Sequence, residues 1–298
     1  MRDESQRNAA GPSDDGAAWE NVCSFPIRGR TAKPRARGLT MVIDKGLGLG
    51  ATEDLLELGA PHMDLMKLAF GTTALYSESI LRRKIALAHQ HHVQIYPGGT
   101  FLEVAVVQGR GRAFLQRAAD LSFDCIEVSD GTIQMSPGTR DGLIDIGQSL
   151  GLQVLTEVGK KHPADRVPRT NIREQIRSDL EHGAWKVIVE GRESGKGVVI
   201  YREDGSIDED EMEDIAAAVS DQSLLIWEAP LKSQQQDLIL RFGTNVNLGN
   251  IHTDEVLSVE ALRVGLRGDT LRAALLAGAI PTANHIDGPP PGPSTEPK

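Results

Sequence analysis

Apolar residues gather in eight short segments, each closing in a charged or glycine-rich tip, with longer stretches of helical period between them. The segments are Thr40-Met-Val-Ile-Asp-Lys-Gly46, Asp64-Leu-Met-Lys-Leu-Ala69, Val93-Gln-Ile-Tyr-Pro-Gly-Gly-Thr100, Cys125-Ile-Glu-Val-Ser-Asp-Gly131, Val154-Leu-Thr-Glu-Val-Gly-Lys160, Lys186-Val-Ile-Val-Glu-Gly191, Leu224-Leu-Ile-Trp-Glu-Ala-Pro230 and Val246-Asn-Leu-Gly-Asn-Ile251. Short apolar runs bounded by glycine, proline and charge read as strands. Helical patterns fall around 52–59, 77–91, 112–120, 139–150, 171–182, 208–219, 233–242 and 254–266. Thr52 before Glu53 and Asp54 suits a helix start, and Gly59 a stop. Strand and helix alternate with a repeat of about thirty residues, the size of a βα unit with its return. Right-handed crossovers then favour a closed barrel or an open doubly wound sheet. Eight similar units predict the α/β class and a TIM (β/α)8 barrel in a single domain.

In such a barrel the chemistry sits at the C-terminal ends of the strands. Asp44, Glu127, Asp130, Glu157, Glu190 and Glu228 all fall there, with Lys45, Lys67, Lys160 and Lys161 among them. Hard carboxylate oxygens suit Mg2+, and metal-binding carboxylates beside lysines suit a substrate carrying both phosphate and carboxylate. A ring of mutually neutralising salt bridges is the plain structural alternative. Glu190-Gly-Arg-Glu-Ser-Gly-Lys-Gly197 brings Arg192, Ser194 and Lys196 together with three glycines, a composition fit to close over an oxyanion. Asn247-Leu-Gly-Asn250 lies at the eighth strand, where barrels often bind phosphate.

Two other motifs weigh less. Gly46-Leu-Gly48-Leu-Gly50-Ala51 fits a loose dinucleotide pattern, but the following strand ends Lys67-Leu-Ala-Phe-Gly71 without the acidic residue that would hold a ribose. His89, His91 and His92 sit at a helix end, opposite the chemical rim, where cationic side chains are favourable without a metal. Arg267-Gly-Asp-Thr270 reads as a helix stop and restart.

Composition trims the alternatives. The formal charge of −10, without a long Lys/Arg cluster, argues against nucleic acid, and no apolar run is long enough for a membrane span. Cys23 and Cys125 are too few for a disulfide framework, so a reduced, cytoplasmic compartment is expected. Residues 1–36 are expected to form a largely flexible N-terminal extension, 37–280 the barrel, and 281–298 a disordered proline-rich tail. The apolar run Leu271, Ala273, Ala274, Leu275, Leu276 and Ala277 could close the barrel's outside or meet a second copy, and a homo-oligomer is expected on that basis.

Seven stretches resemble the phosphosulfolactate synthase family, which serves one route to coenzyme M. They are Arg37-Gly-Leu-Thr-Met-Val-Ile-Asp-Lys-Gly46, Tyr96-Pro-Gly-Gly-Thr100, Ile126-Glu-Val-Ser-Asp-Gly131, Leu155-Thr-Glu-Val-Gly-Lys-Lys161, Val189-Glu-Gly-Arg-Glu-Ser-Gly-Lys-Gly197, Glu228-Ala-Pro-Leu-Lys-Ser-Gln-Gln235 and Gly265-Leu-Arg-Gly-Asp-Thr270. The resemblance implies a TIM barrel and Mg2+-dependent addition of sulfite to phosphoenolpyruvate, giving (2R)-phospho-3-sulfolactate. On that reading Asp44, Glu127, Glu157 and Glu190 are candidates for the metal. Lys160 is the first choice for the acid that protonates the intermediate, with Lys161 second. Lys45 and Lys67 would attract sulfite or the substrate carboxylate, and Arg192, Ser194, Asn247, Gly249 and Asn250 would hold the phosphate. The same resemblance reaches plant heat-stress-associated barrel proteins, so a non-catalytic role, or a related lyase using another nucleophile, is the competing expectation.

Overall fold

A computed structural model gives the architecture and describes residues 18–19, 22–162, 168–278 and 280. The tail expected over 281–298 and most of the first 21 residues lie outside them. Eight strands, β1 (Thr40–Asp44), β2 (Leu65–Leu68), β3 (Gln94–Pro97), β4 (Cys125–Val128), β5 (Gln153–Val158), β6 (Lys186–Val189), β7 (Leu225–Glu228) and β8 (Leu248–His252), form one parallel sheet in the order β3-β2-β1-β8-β7-β6-β5-β4. The ends of that order meet. The Asp124 amide donates to the Ile95 carbonyl at 3.1 Å, while the Asp124 carboxylate accepts from the Ile95 amide at 2.8 Å, bringing β3 and β4 together at the seam. The result is a nearly closed TIM barrel, as the periodicity predicts.

Ten helices cover the described part of the barrel: α1 (Leu49–Gly59), α2 (Glu78–Gln90), α3 (Gly99–Val107), α4 (Gly111–Asp120), α5 (Pro137–Ser149), α6 (Arg169–Glu181), α7 (Glu209–Ala216), α8 (Lys232–Phe242), α9 (Val256–Arg263) and α10 (Gly268–Leu276). Side-chain caps start several of them. Ser77 accepts from the Ile80 amide, Ser136 from Thr139 and Asp208 from Glu211, each satisfying a first-turn donor with no partner inside the helix. Thr52 is not such a cap. Helix α1 begins three residues earlier, and the Thr52 hydroxyl turns back to the Gly48 carbonyl at 2.9 Å inside the first turn. Helix α3 has no counterpart in the sequence reading. Its Val-Ala-Val-Val end is β-branched and lacks a polar face, so its period does not reveal it.

Alternation along the strands divides the core in two. Met41, Leu65, Tyr96, Cys125, Leu155, Ile188 and Ile226 pack together inside the barrel, while their neighbours Val42, Met66, Ile95, Ile126, Val154, Val187 and Trp227 face the helices. Gly249 belongs to the interior, where an added Cβ would collide with Met41 and press on Ile226.

Residues 27–36 lie across the N-terminal ends of the strands rather than hanging free. The Ile27 amide donates to the Val264 carbonyl, Thr31 N to Asn245 Oδ1, and Arg30 and Arg35 pair with Glu260 and Asp64. Packed structure therefore begins near residue 27, not 37. Hydrogen bonds to carbonyls and acids hold this strap, and hydrophobic periodicity does not report them. Among the described residues no helix is long and apolar enough to cross a membrane.

Candidate active site

The same alternation that places Leu65, Cys125, Leu155, Ile188 and Ile226 inside also directs the residues two positions later inward, one tier higher: Lys67, Glu127, Glu157, Glu190 and Glu228. All five are buried. Lys67 Nζ stands 2.9 Å from Glu127 Oε2, 3.2 Å from Glu228 Oε1 and 3.3 Å from Glu157 Oε2. Backbone amides hold the outer oxygens of three glutamates. Gly99 N donates to Glu127 at 2.8 Å, Gly191 N to Glu228 at 2.9 Å and Arg192 N to Glu190 at 2.6 Å. Gly99 has to be glycine here, because an added Cβ would lie 2.5 Å from Ser129 Oγ and 2.7 Å from Glu127 Oε1.

The two adjacent lysines after β5 part company. Gly159, with φ at +116°, turns the chain where an added Cβ would strike Val199 and lie 3.0 Å from Glu190 Cβ. Lys160 then goes outward along the rim, donating to the Asp130 carbonyl at 2.5 Å, the Asp130 carboxylate at 2.6 Å and the Ile133 carbonyl at 3.1 Å. All three of its ammonium hydrogens have partners. Lys161 enters the tier instead, 3.3 Å from Glu157 Oε1 and 3.5 Å from Glu190 Oε2, and donates to Thr100 Oγ1 at 3.0 Å. Its side chain keeps 29% exposure towards the mouth, against 9% for Lys67.

Burial and mutual charge set the protonation. Burial pushes the Glu127 carboxyl up to about 7, against the pull of Lys67. Burial raises Glu190 well above the usual carboxylate range, with Glu157 and Glu228 adding to the shift. Glu157 goes the other way: burial opposes its charge, but Lys161 and Lys67 hold it well below the ordinary value. Burial alone would lower both lysines, yet the surrounding glutamates raise them and keep them ammonium. Burial and mutual repulsion thus disfavour charge on Glu190, while the two lysines favour it on Glu157.

One side of this tier suits a hard cation. Glu157, Glu190 and Glu228 each offer an oxygen within 4.8 Å of the others, and Glu157 Oε1 and Glu190 Oε2 are buried without a hydrogen-bond partner. Three converging carboxylates, two of them with an oxygen free of hydrogen bonds, match the donor chemistry of Mg2+. Glu127 lies on the far side of Lys67, its Oε2 turned to that ammonium.

Other residues singled out by the sequence fall elsewhere. Asp44 shares the outward parity of Val42, so it faces the helices, where it pairs with buried Lys84 and caps the Gly46 and Leu47 amides at 2.7 and 2.8 Å. It therefore does not join the glutamates of the tier. Lys45 reaches Glu193 at 2.6 Å across the rim. Asn247 sits at the opposite end of the barrel, accepting from Leu39 N and donating to the Ser223 and Leu225 carbonyls, because it precedes β8 rather than following it. Gly249 fills space inside the barrel. Asn250 takes a positive φ of 52° at a bulge in β8, donates weakly to the Arg192 carbonyl at 3.3 Å and leaves Oδ1 buried and unpaired. Arg192 and Ser194 are exposed on the loop after β6. Glu228, although among the rim carboxylates, was not in the expected metal set, and Thr100 was not singled out; counting two residues on from each interior apolar position finds Glu228 directly. His89 meets Asp124 at 3.0 Å and is far from the tier.

Comparison with known proteins bears on this arrangement. Residues 28–269 match the profile of (2R)-phospho-3-sulfolactate synthase. A phosphosulfolactate synthase of Methanothermobacter thermautotrophicus is 40% identical over 84% of this chain and 98% of its own. One of Methanocaldococcus jannaschii is 43% identical over 78% of this chain and 94% of its own. Among solved structures, 3-hexulose-6-phosphate synthase of Salmonella typhimurium superposes with a TM-score of 0.52 at 13% identity, covering 80% of this chain and 99% of that one, which speaks for the barrel alone.

Proposed function

Because the chain belongs to the phosphosulfolactate synthase family, a family of enzymes, we propose that it adds sulfite to phosphoenolpyruvate to give (2R)-phospho-3-sulfolactate. The observation that supports this most is the buried tier itself, with two ammonium groups and four carboxylates at the C-terminal mouth and carboxylate oxygens left unspent.

In the proposed reaction the sulfur lone pair of sulfite forms a bond to the methylene carbon of phosphoenolpyruvate. The electrons of the carbon–carbon double bond shift towards the carboxylate, and a proton delivered to the central carbon completes the product. Glu157, Glu190 and Glu228 would hold Mg2+, which when bound supplies stabilisation of the negative charge growing on the substrate carboxylate. Lys161 is the proton donor in this reading. It is the tier's more exposed ammonium and its contact with Thr100 fixes its approach, so a proton leaves from one face. Lys67 is enclosed by three glutamates and balances their charge. Lys160 fixes the Asp130 turn and acts by position. Arg192, Ser194 and Lys196, exposed on the β6 loop, meet the phosphate, while the Lys45–Glu193 pair ties that loop to the opposite rim.

The test is a mass-spectrometric assay of the purified protein with phosphoenolpyruvate, sulfite and Mg2+, each omitted in turn. Phosphosulfolactate formed only when all three are present is the expected result. Phosphoenolpyruvate bound without product would reject sulfite as the nucleophile, and neither binding nor product would reject the synthase reading altogether.

A further inference from the structure

At the other end of the barrel, the strap of residues 27–36 and the C-terminal end of α9 enclose an open cavity of about 550 Å³. Arg28, Arg30, Lys33, Arg35 and His62 line it against one carboxylate, Glu260. Arg30 Nε reaches both Glu260 oxygens, at 2.9 and 3.1 Å, and Arg35 pairs with Asp64 behind the wall. Those contacts neutralise two of the cations. Lys33 Nζ meets only the neutral carbonyls of Ala60 and Met63, at 2.9 and 2.7 Å, and an ammonium has a third hydrogen to give. Arg28 is exposed at the cavity's edge and forms no ion pair among the described residues.

Behind the lining the surplus continues. Arg263 is fully buried and donates to the Thr244 and Val246 carbonyls, and its Nε, like Arg30 Nη2, has no hydrogen-bond partner. Arg28, Arg30, Lys33, Arg35 and Arg263 thus face only Asp64 and Glu260, in a chain whose net charge is −10. Burial lowers the pKa of Lys33 and of His62; Asp64 pulls the first back up and Glu260 the second, while Arg35 adds to the lowering at both. Partly dehydrated cations that lack counterions favour an anion.

We propose that this cavity binds a small multivalent oxyanion of the phosphate class, held chiefly by Arg28 and Lys33. The room available exceeds what a halide needs, and the charge surplus matches a divalent or trivalent group. The site lies at the opposite end of the barrel from the carboxylate tier, and its occupation would pin the strap to α9 by joining both to one ligand.

Isothermal titration calorimetry of the full chain with inorganic phosphate and pyrophosphate, paired with mass-spectrometric measurement of acetylation at Lys33, tests this. We expect either anion to slow Lys33 acetylation several-fold where potassium chloride at equal ionic strength does not, and the R28Q/K33Q variant to lose about tenfold or more in affinity for one class of site. The K161Q variant should keep that class. If the double variant does not fold, R28Q alone, altering an exposed side chain, should still weaken binding about threefold. Protection by phosphoenolpyruvate below the concentration needed with inorganic phosphate would assign the site to a phosphorylated metabolite, and the reverse order to the free ion. Lys33 acetylation indifferent to all of these anions, or unchanged affinity in the variants, would overturn the proposal.

Discussion

At the N-terminal mouth, beside the Arg30–Glu260 and Arg35–Asp64 pairs, three buried or half-buried cations donate chiefly to backbone carbonyls: Lys186 to Ala36 and Ser223, Arg263 to Thr244 and Val246, Lys33 to Ala60 and Met63. At the C-terminal mouth Lys67 and Lys161 meet carboxylates instead, and some oxygens of those carboxylates have no hydrogen bond at all. A cation shared between carbonyls of separate segments ties the chain together, and removing it costs stability. A cation set among glutamates with unspent oxygens leaves part of the local electrostatics unsatisfied, and that remainder is what a substrate or metal can use. Burial by itself does not separate the two ends. What the buried groups bond to does.

The largest expected effect comes from Lys161→Ala, which should lower kcat by about 10² to 10⁴ while leaving the fold intact, the range for losing a positioned proton donor. Lys160→Ala should cost less, because its ammonium serves the Asp130 turn. Single-turnover product formation, with circular dichroism as the control for folding, ranks the two. A greater loss in the Lys160 variant would move the acid role to that residue.

Next is a pair of substitutions, one from each mouth. Lys67→Met strips the common countercharge from Glu127, Glu157 and Glu228, and breaking a buried ion-pair set in this way costs roughly 3 to 5 kcal/mol. Arg263→Met leaves carbonyls without donors, at about 1 to 3 kcal/mol. Urea unfolding measures both. Only the Lys67 variant should also lose activity in the protein that remains folded, and a comparable loss of kcat in the Arg263 variant would erase the contrast between the two ends.

The barrel is legible because every strand segment carries an apolar core with a charged or glycine-rich tip, and the observed strands fall inside the expected segments or within a residue of them. Most of the tier was legible for the same reason. The misplacements share a cause, since a position near a strand end does not by itself put a side chain in the site. Asp44 is at a strand tip but has the wrong parity. Its partner in α2, Lys84, lies forty residues away in sequence, and nothing local announces the pair. Asn247 marks the beginning of β8, an error of one strand length along the barrel axis. Lys160 and Lys161 could not be told apart because the turn at Gly159 breaks the alternation, so only the fold shows which of them enters the tier. The strap was missed because it packs through hydrogen bonds and ion pairs, whose partners are distant in sequence.

A pH experiment sharpens the comparison at one side chain. Burial raises the Glu127 carboxyl from 4.5 to about 7 in the folded chain, so the fold prefers its protonated form. That contribution to stability is fully present below about 4.5 and is lost as the pH rises through about 7. Glu127→Gln cannot ionise. Relative to the parent protein its stability should therefore rise between pH 5 and pH 8, by at most roughly 3 kcal/mol. The slopes are the quantity to compare, because the new amide faces Lys67 at every pH. Parallel urea midpoints across that range would mean that Lys67 holds Glu127 ionised throughout.

The smallest effect expected is at Gln234, whose bonding pattern belongs to the other mouth although it serves this one. Buried in α8, it donates to the Gly195 carbonyl at 2.6 Å and the Gly205 carbonyl at 3.0 Å while accepting from the Leu231 amide at 3.1 Å. It anchors the loop that carries Arg192, Ser194 and Lys196 by the same carbonyl bonding that fixes the strap. Gln234→Leu should loosen that loop without touching the tier. The expected signature is a several-fold rise in KM for phosphoenolpyruvate with kcat nearly kept, together with faster proteolysis after Arg192 or Lys196. A fall in kcat at unchanged KM would instead couple Gln234 to the proton transfer, and carbonyl tethers would then belong to the chemistry at this end as well as to the architecture at the other.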